Sequence, residues 1–210
     1  MEGKRMIKIA VSRGRLFEES IEILQKAGIQ MKKDAKRSRK LIHEIKDHNL
    51  MLFVVRPTDV PSYVEHGVAD CGIVGKDSLM EQENNLYEPL DLGIGKCRMI
   101  VAAPEGYKLP GGGGVRVATK YPRVAGKWFE EKNIRADVIK LYGSVELAAV
   151  VGLSDVIVDL TASGKTIKEN KLAEVDFIAD ITARLVVNKA GMKIKSGEID
   201  DLISKIAKVV

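Results

Sequence analysis

Short apolar runs alternate along the chain with segments in which apolar residues recur every three or four positions. Residues 6–11 predict a strand. Residues 16–28 predict a helix with Phe17, Ile21 and Leu24 on one face. Residues 50–55 (LMLFVV) predict a buried strand, 58–67 a short helix with Pro61 in its first turn, and 70–75 a strand leading into a helix near Asp77. Further strands are expected at 98–103, 115–119, 138–141, 156–160 and 181–187. Val124 and Trp128 lie one helical turn apart between two of them. Ser144 is placed to cap a helix over 145–151, and Ser196 to cap a C-terminal helix buried through Ile199, Leu202, Ile203 and Ile206. Strand–helix alternation of this kind gives an α/β fold with mixed, mostly parallel sheets. Breaks near 92–97 and 178 divide it into an outer lobe, 1–91 plus 179–210, and an inserted lobe, 92–178. A cleft between lobes is the natural ligand site of such an arrangement.

Composition narrows the function classes. The 210 residues suffice for one large domain or two small lobes, and 45% hydrophobic with 30% charged residues is ordinary for a globular protein. The net charge of +5 favours an anionic ligand, but 5% aromatic residues argue against nucleic acid. The densest basic run, 32–40, reads as a solvated loop, with Arg39 as a candidate exception. Cys71 and Cys97 form no CxxC pair and read as buried structural thiols. His43, His48 and His66 form no metal-binding pattern. The N-terminal apolar stretch is too short for a signal sequence, and no window approaches the length of a membrane span, so a cytoplasmic protein is expected.

Residues 155–166, DVIVDLTASGKT, carry the most chemistry. An apolar strand runs into Thr161, Ala162, Ser163, Gly164 and Lys165, and Thr166 opens a helix. Unpaired N–H groups at a helix start suit a phosphate, glycine allows close approach, and the hydroxyls add donors. Asp155 and Asp159 are candidates for ribose hydroxyls. The ending resembles a P-loop, but Asp159 stands where the first glycine of G-x-x-x-x-G-K-[ST] belongs and would repel a phosphate chain. A single phosphate beside a diol therefore fits better, with a plain strand-to-helix turn as the other reading. SRGR at 12–15 suits a polyphosphate or a solvated turn. Arg56 follows the strand LMLFVV at the crevice edge where α/β sheets bind ligands, although surface arginines are common. In 67–79, Asp70, Gly72, Gly75 and Asp77 bracket a short strand as ligand contacts or as turn residues. The run LPGGGG at 109–114 reads as a flexible surface turn, with a glycine-rich phosphate loop as the other reading, against which counts the lack of a helix-opening pattern.

Taken in order, SRGRL, SRKLI (38–42), VRPTDVPSYVEHGVADCGIVGKDSL (55–79), GSVELAAVVGLSDVIVDLTASGKT (143–166) and ITARLVVN (181–188) resemble the ATP phosphoribosyltransferase family of histidine biosynthesis. The resemblance implies transfer of phosphoribosyl from phosphoribosyl pyrophosphate to N1 of ATP, with Mg²⁺, in a fold like periplasmic binding proteins. It also implies roles. Asp155, Asp159, Thr161, Ala162, Ser163, Gly164, Lys165 and Thr166 would bind phosphoribosyl pyrophosphate, Arg39 and Arg56 would stabilise the leaving pyrophosphate, and Arg15, Asp70 and Gly72 would lie on the ATP side. No metal ligand is assigned. Ala149 stands where the family often has proline. The chain looks like the short form, which is similar in working as at least a dimer and with a regulatory subunit resembling histidyl-tRNA synthetase. Without the resemblance, a non-catalytic anion- or nucleotide-binding module and a nucleoside-triphosphate hydrolase are the competing classes; the failed P-loop spacing counts against the latter.

Overall fold

The runs IKIAVS, LMLFVV and CGIVG are too apolar to leave either face in water, so each must become a strand covered on both sides. The computed structural model describes residues 5–30, 40–111 and 113–210. Two compact units result: Met1–Gly95 with Thr182–Val210, and Lys96–Ile181.

The first unit contains β1 (Ile7–Ser12), α1 (Arg15–Lys26), β2 (Ile42–Ile45), β3 (Leu50–Val55), α2 (Val60–Glu65), β4 (Cys71–Gly75), α3 (Lys76–Glu81) and β5 (Leu86–Asp91). After the second unit it is completed by β11 (Ala183–Asn188), α7 (Lys189–Ile194) and α8 (Ser196–Ala207). Its sheet runs β2-β3-β1-β4-β11-β5. The central strands β3, β1 and β4 are parallel, while β2, β11 and β5 pair antiparallel. One face buries Ile9, Leu52 and Ile73 against Ile21 and Leu24 of α1 and Ile199, Leu202 and Ile206 of α8. The other buries Val74 and Val186 against Val60 and Val64 of α2.

The second unit contains β6 (Cys97–Pro104), β7 (Gly114–Thr119), α4 (Pro122–Glu131), β8 (Arg135–Lys140), α5 (Val145–Val150), β9 (Val156–Thr161), α6 (Lys165–Glu169) and β10 (Leu172–Ile181). Its sheet runs β10-β6-β9-β7-β8, with β9, β7 and β8 parallel and β6 and β10 antiparallel. Ile100, Ala118 and Ile157 pack with Val145 and Ala148 of α5 and Ile167 of α6. The order β8-β7-β9-β6-β10 repeats β3-β1-β4-β11-β5 of the first unit, with the same directions and the same helices between strands. The two units are thus variants of one topology.

The antiparallel share is larger than strand–helix alternation implied. The strands β2, β5 and β10 have no simple alternating pattern: β2 is a mostly exposed edge, β5 contains Pro89, and β10 shifts register at 174/176 and 177/179. Two expected caps are absent. Ser144 adopts a left-handed conformation (φ 48°) and makes no side-chain cap bond, so the start of α5 is uncapped. Ser196 is the first residue of α8, after Lys195, and makes no cap bond either. Instead Asn188 caps α7, its side-chain oxygen accepting from the Gly191 N–H at 2.7 Å. Cys71 is buried, and burial pushes its thiol up to about 12, which leaves it inert at neutral pH. Cys97 is only partly buried. Among the described residues, no helix is long and apolar enough to cross a membrane.

Candidate active site

Parallel strands end at one edge of their sheet, so the turns that follow them gather there. In the second unit these are residues 120–121 after β7, 141–144 after β8 and 162–164 after β9. Each leads into a helix, at Pro122, Val145 and Lys165, and none of the three helices has a side-chain cap bond. The positive dipole ends of these helix starts make this edge attractive to an anion.

The turn after β9 is built from its own hydroxyls. Thr161 Oγ1 accepts from the Gly164 N–H at 2.9 Å, and Ser163 Oγ accepts from the Lys165 N–H at 3.4 Å. Gly164 has φ 72°, a conformation that glycine adopts without strain. The helix opens at Lys165, one residue before the expected Thr166. The turn walls a concavity of about 590 Å³, which also takes in Arg98, Lys168 and Glu174. Arg98 is committed there to Glu174, with two bonds at 2.7 and 2.9 Å.

Asp159 lies two residues inside this end of β9, opposite Ile100. Burial pushes its carboxyl above the usual carboxylate range. The Leu160 N–H and the charge of Lys120 pull it back, and Glu146 pushes it up. Lys120, on the turn after β7, and Glu146, in the first turn of α5, therefore belong to the same neighbourhood; Lys120 lies outside every quoted motif, and Glu146 lies within residues 143–166 but has no role read for it there. Their signal was topological: both sit just past the end of a parallel strand.

Asp155 is elsewhere. It precedes β9, roughly 20 Å along an extended strand from Thr161. Arg116 holds it, through its N–H at 2.9 Å and its guanidinium at 2.7 Å, and keeps its carboxyl below the ordinary value. The structure does not bring Asp155 to the turn.

In the first unit the corresponding edge carries Arg13, Gly14, Arg15 and Arg56. The Arg13 N–H donates to the Val55 carbonyl at 2.8 Å, which sets the turn after β1 beside the end of β3 and hence beside Arg56. Gly14 (φ 92°) makes this turn. Arg15 is exposed and pairs with Glu19 at 3.1 Å. Arg39 lies outside the described residues. Asp70 and Gly72 are not at this edge. Asp70 faces Lys8 at the opposite end of the strands, accepting from the Lys8 N–H at 2.8 Å and from Lys195 Nζ at 2.9 Å. Gly72 is mid-strand, and a Cβ there would meet Val60 Cγ1 at 2.7 Å and Val64 Cγ2 at 2.8 Å. Its lack of a side chain serves helix–sheet packing. Gly75 ends β4, and the Asp77 carboxylate folds over it.

Two mixed sheets of one topology, with anion-attracting turns at the ends of their parallel strands, define an α/β protein of the periplasmic-binding-protein-like class. Comparison with known proteins makes the assignment specific. A family model described as ATP phosphoribosyltransferase matches residues 56–208. The chain is 50% identical to ATP phosphoribosyltransferase 2 of Geobacter sulfurreducens over 97% of its own length and 98% of that protein. It is 49% identical to the ATP phosphoribosyltransferase of Methylococcus capsulatus over 98% and 96% of the two lengths. A solved ATP phosphoribosyl transferase (HisG:HisZ) complex from Thermotoga maritima contains a chain that superposes with a TM-score of 0.85. That chain is 39% identical, with 97% of this chain and 98% of that one covered. The chain belongs to the ATP phosphoribosyltransferase family.

Proposed function

We propose that the protein transfers the phosphoribosyl group of phosphoribosyl pyrophosphate to N1 of ATP, giving phosphoribosyl-ATP and pyrophosphate, the first step of histidine biosynthesis. The observation that carries the site assignment is the β9–α6 turn, where hydroxyls, a left-handed glycine and a helix start gather beside a partly buried carboxylate. Asp159 takes the ribose hydroxyls, and Thr161, Ala162, Ser163, Gly164, Lys165 and Thr166 take the 5-phosphate. Arg56, with Arg39, stabilises the departing pyrophosphate, and Arg15 lies on the ATP side. Asp155, Asp70 and Gly72 are assigned to structure.

The chemistry asks little of the protein in proton transfer. The N1 lone pair of adenine forms the new bond to the anomeric carbon while the bond from that carbon to the pyrophosphate oxygen breaks, its electron pair leaving with the pyrophosphate. Positioning and charge stabilisation suffice for such a step. Among the described residues no three His, Cys, Asp or Glu side chains gather. A Mg²⁺ ion bound with the substrate would supply neutralisation of the charge on its diphosphate. We further infer that the enzyme is cytoplasmic, that it is at least a dimer, and that it pairs with a regulatory subunit resembling histidyl-tRNA synthetase. The similar Thermotoga maritima chain was solved within a HisG:HisZ complex, which supports such a pairing.

The test is direct. The protein is incubated with ATP, phosphoribosyl pyrophosphate and Mg²⁺, with inorganic pyrophosphatase to draw the equilibrium forward, with and without the candidate regulatory subunit. The N1-substituted adenine is followed by its ultraviolet absorbance. Product is expected; none in either arm refutes the function.

A further inference from the structure

We infer that Thr119 is a positioning residue that latches the Lys120–Tyr121 segment against Asp159; the inference rests on the reading of the β9–α6 edge as the phosphoribosyl pyrophosphate site. Thr119 is the last residue of β7 and is fully buried. A threonine hydroxyl there is costly to bury unless it is bonded, and it is bonded twice. It donates to the Val158 carbonyl of β9 at 2.7 Å and accepts from the Tyr121 N–H at 2.9 Å. Val158 is the residue before Asp159, and Tyr121 is the residue after Lys120. One hydroxyl therefore ties the backbone just before Asp159 to the backbone just after Lys120, next to the paired residues Thr119 and Val158.

The first unit has half of this device. Ser12, the last residue of β1, is also fully buried, and its hydroxyl donates to the Ile73 carbonyl of β4 at 3.2 Å. It thus bridges the strand pair, β1 and β4, that corresponds to β7 and β9. Only Thr119 also takes the N–H of the turn that follows it. The turn after β7 is thereby fixed from within, with no contribution from the ligand. Such preorganisation holds the Lys120 backbone in register beside that of Asp159 before the substrate arrives.

Two substitutions test it, with a readout that needs no substrate. Thr119→Val keeps the shape and removes both bonds; Thr119→Ser keeps the hydroxyl. The titration of the Asp159 carboxyl, followed by ¹³C NMR in the ligand-free protein, reports Lys120, which pulls it down, and Glu146, which pushes it up. Thr119→Val is expected to move that titration upward and Thr119→Ser to leave it in place. An unmoved titration in Thr119→Val, or an equal shift in Thr119→Ser, overturns the latch. Kinetics separate the latch from the site reading beneath it. Thr119→Val is expected to raise the KM for phosphoribosyl pyrophosphate about tenfold, the scale of one or two lost buried hydrogen bonds, with the KM for ATP unchanged. A moved titration with both KM values unmoved upholds the latch and refutes phosphoribosyl pyrophosphate as the ligand of this edge.

Discussion

The two units share a strand order and differ in what stands at the ends of their parallel strands. After β1 the first unit has a glycine turn carrying Arg13 and Arg15, set beside Arg56; after β7 the second has one lysine, latched by a buried threonine. After β4 the first unit has Gly75 with a carboxylate folded over it, where no phosphate would settle; after β9 the second has a hydroxyl-lined turn and a left-handed glycine. The same scaffold is thus made into a guanidinium edge in one unit and a helix-start edge in the other. Arginine forks suit a diphosphate that gains charge as it leaves, whereas backbone N–H groups and hydroxyls suit a terminal phosphate that does not react. A topology that repeats need not repeat a function; the turn residues decide.

Breaking the guanidinium edge should have the largest effect. On the proposed assignment of Arg56 to the departing pyrophosphate, Arg56→Ala is expected to lower kcat by about 10²-fold and to change the KM for phosphoribosyl pyrophosphate less. A changed KM with unchanged kcat would move Arg56 from the leaving group to ground-state binding. On the helix-start edge, Asp159→Ala is expected to raise the KM for phosphoribosyl pyrophosphate roughly tenfold or more, with the KM for ATP nearly unchanged. Equal loss for both substrates would erase the division of labour.

The ribose-binding role proposed for Asp159 carries a pH dependence. Its folded carboxyl titrates above the ordinary value because it is partly buried, and the ionised form is the better acceptor for ribose hydroxyls. Affinity for phosphoribosyl pyrophosphate should therefore fall with acid, starting at a higher pH than an ordinary aspartate would give. Asp159→Asn should flatten that limb in a plot of kcat/KM against pH.

Smaller effects mark the residues assigned to structure. Gly72→Ala forces a methyl against Val60 and Val64 and should cost about 1–3 kcal/mol in denaturant unfolding, while the KM for ATP stays near that of the wild type. The smallest effect is expected from Asp155→Asn, which breaks a solvent-exposed pair with Arg116. Because Arg116 holds the Asp155 carboxyl below its unfolded value, the pair stabilises the fold above that value and the contribution is lost as pH falls through the depressed one. A slight loss of thermal stability at neutral pH, with the KM for phosphoribosyl pyrophosphate unchanged, is the expected result.

Much of this was legible in the chain. The strands at the sheet centres announce themselves because strands buried on both faces are largely apolar, as LMLFVV and the run Val156–Val158 show. The turn at 161–164 was legible because glycine and hydroxyls at a strand–helix junction have a physical purpose. The edge strands were not: β5 and β10 carry proline or bulges, and half-exposed edges need no strict pattern. Asp155 and Asp159 looked equivalent in sequence, since both flank one apolar run. Only register separates them, one at each end of β9. Gly72 likewise looked like a ligand-contact glycine until the valines above it came into view. Lys120 carries no local mark, and Glu146 sits in residues 143–166 with nothing to tie it to Asp159; the order β9-β7-β8 brings their charges within electrostatic reach of that carboxyl.

The most direct test of the contrast between the two edges uses the two halves of the substrate separately. Ribose 5-phosphate and inorganic pyrophosphate with Mg²⁺ are titrated in turn into isotopically labelled protein, and backbone amide shifts are followed by NMR. Ribose 5-phosphate should perturb the amides of residues 161–167 and leave 12–16 and Arg56 unmoved; pyrophosphate should do the reverse. Ribose 5-phosphate acting chiefly on Arg13, Arg15 and Arg56, with Thr161, Ser163 and Gly164 silent, would contradict the account.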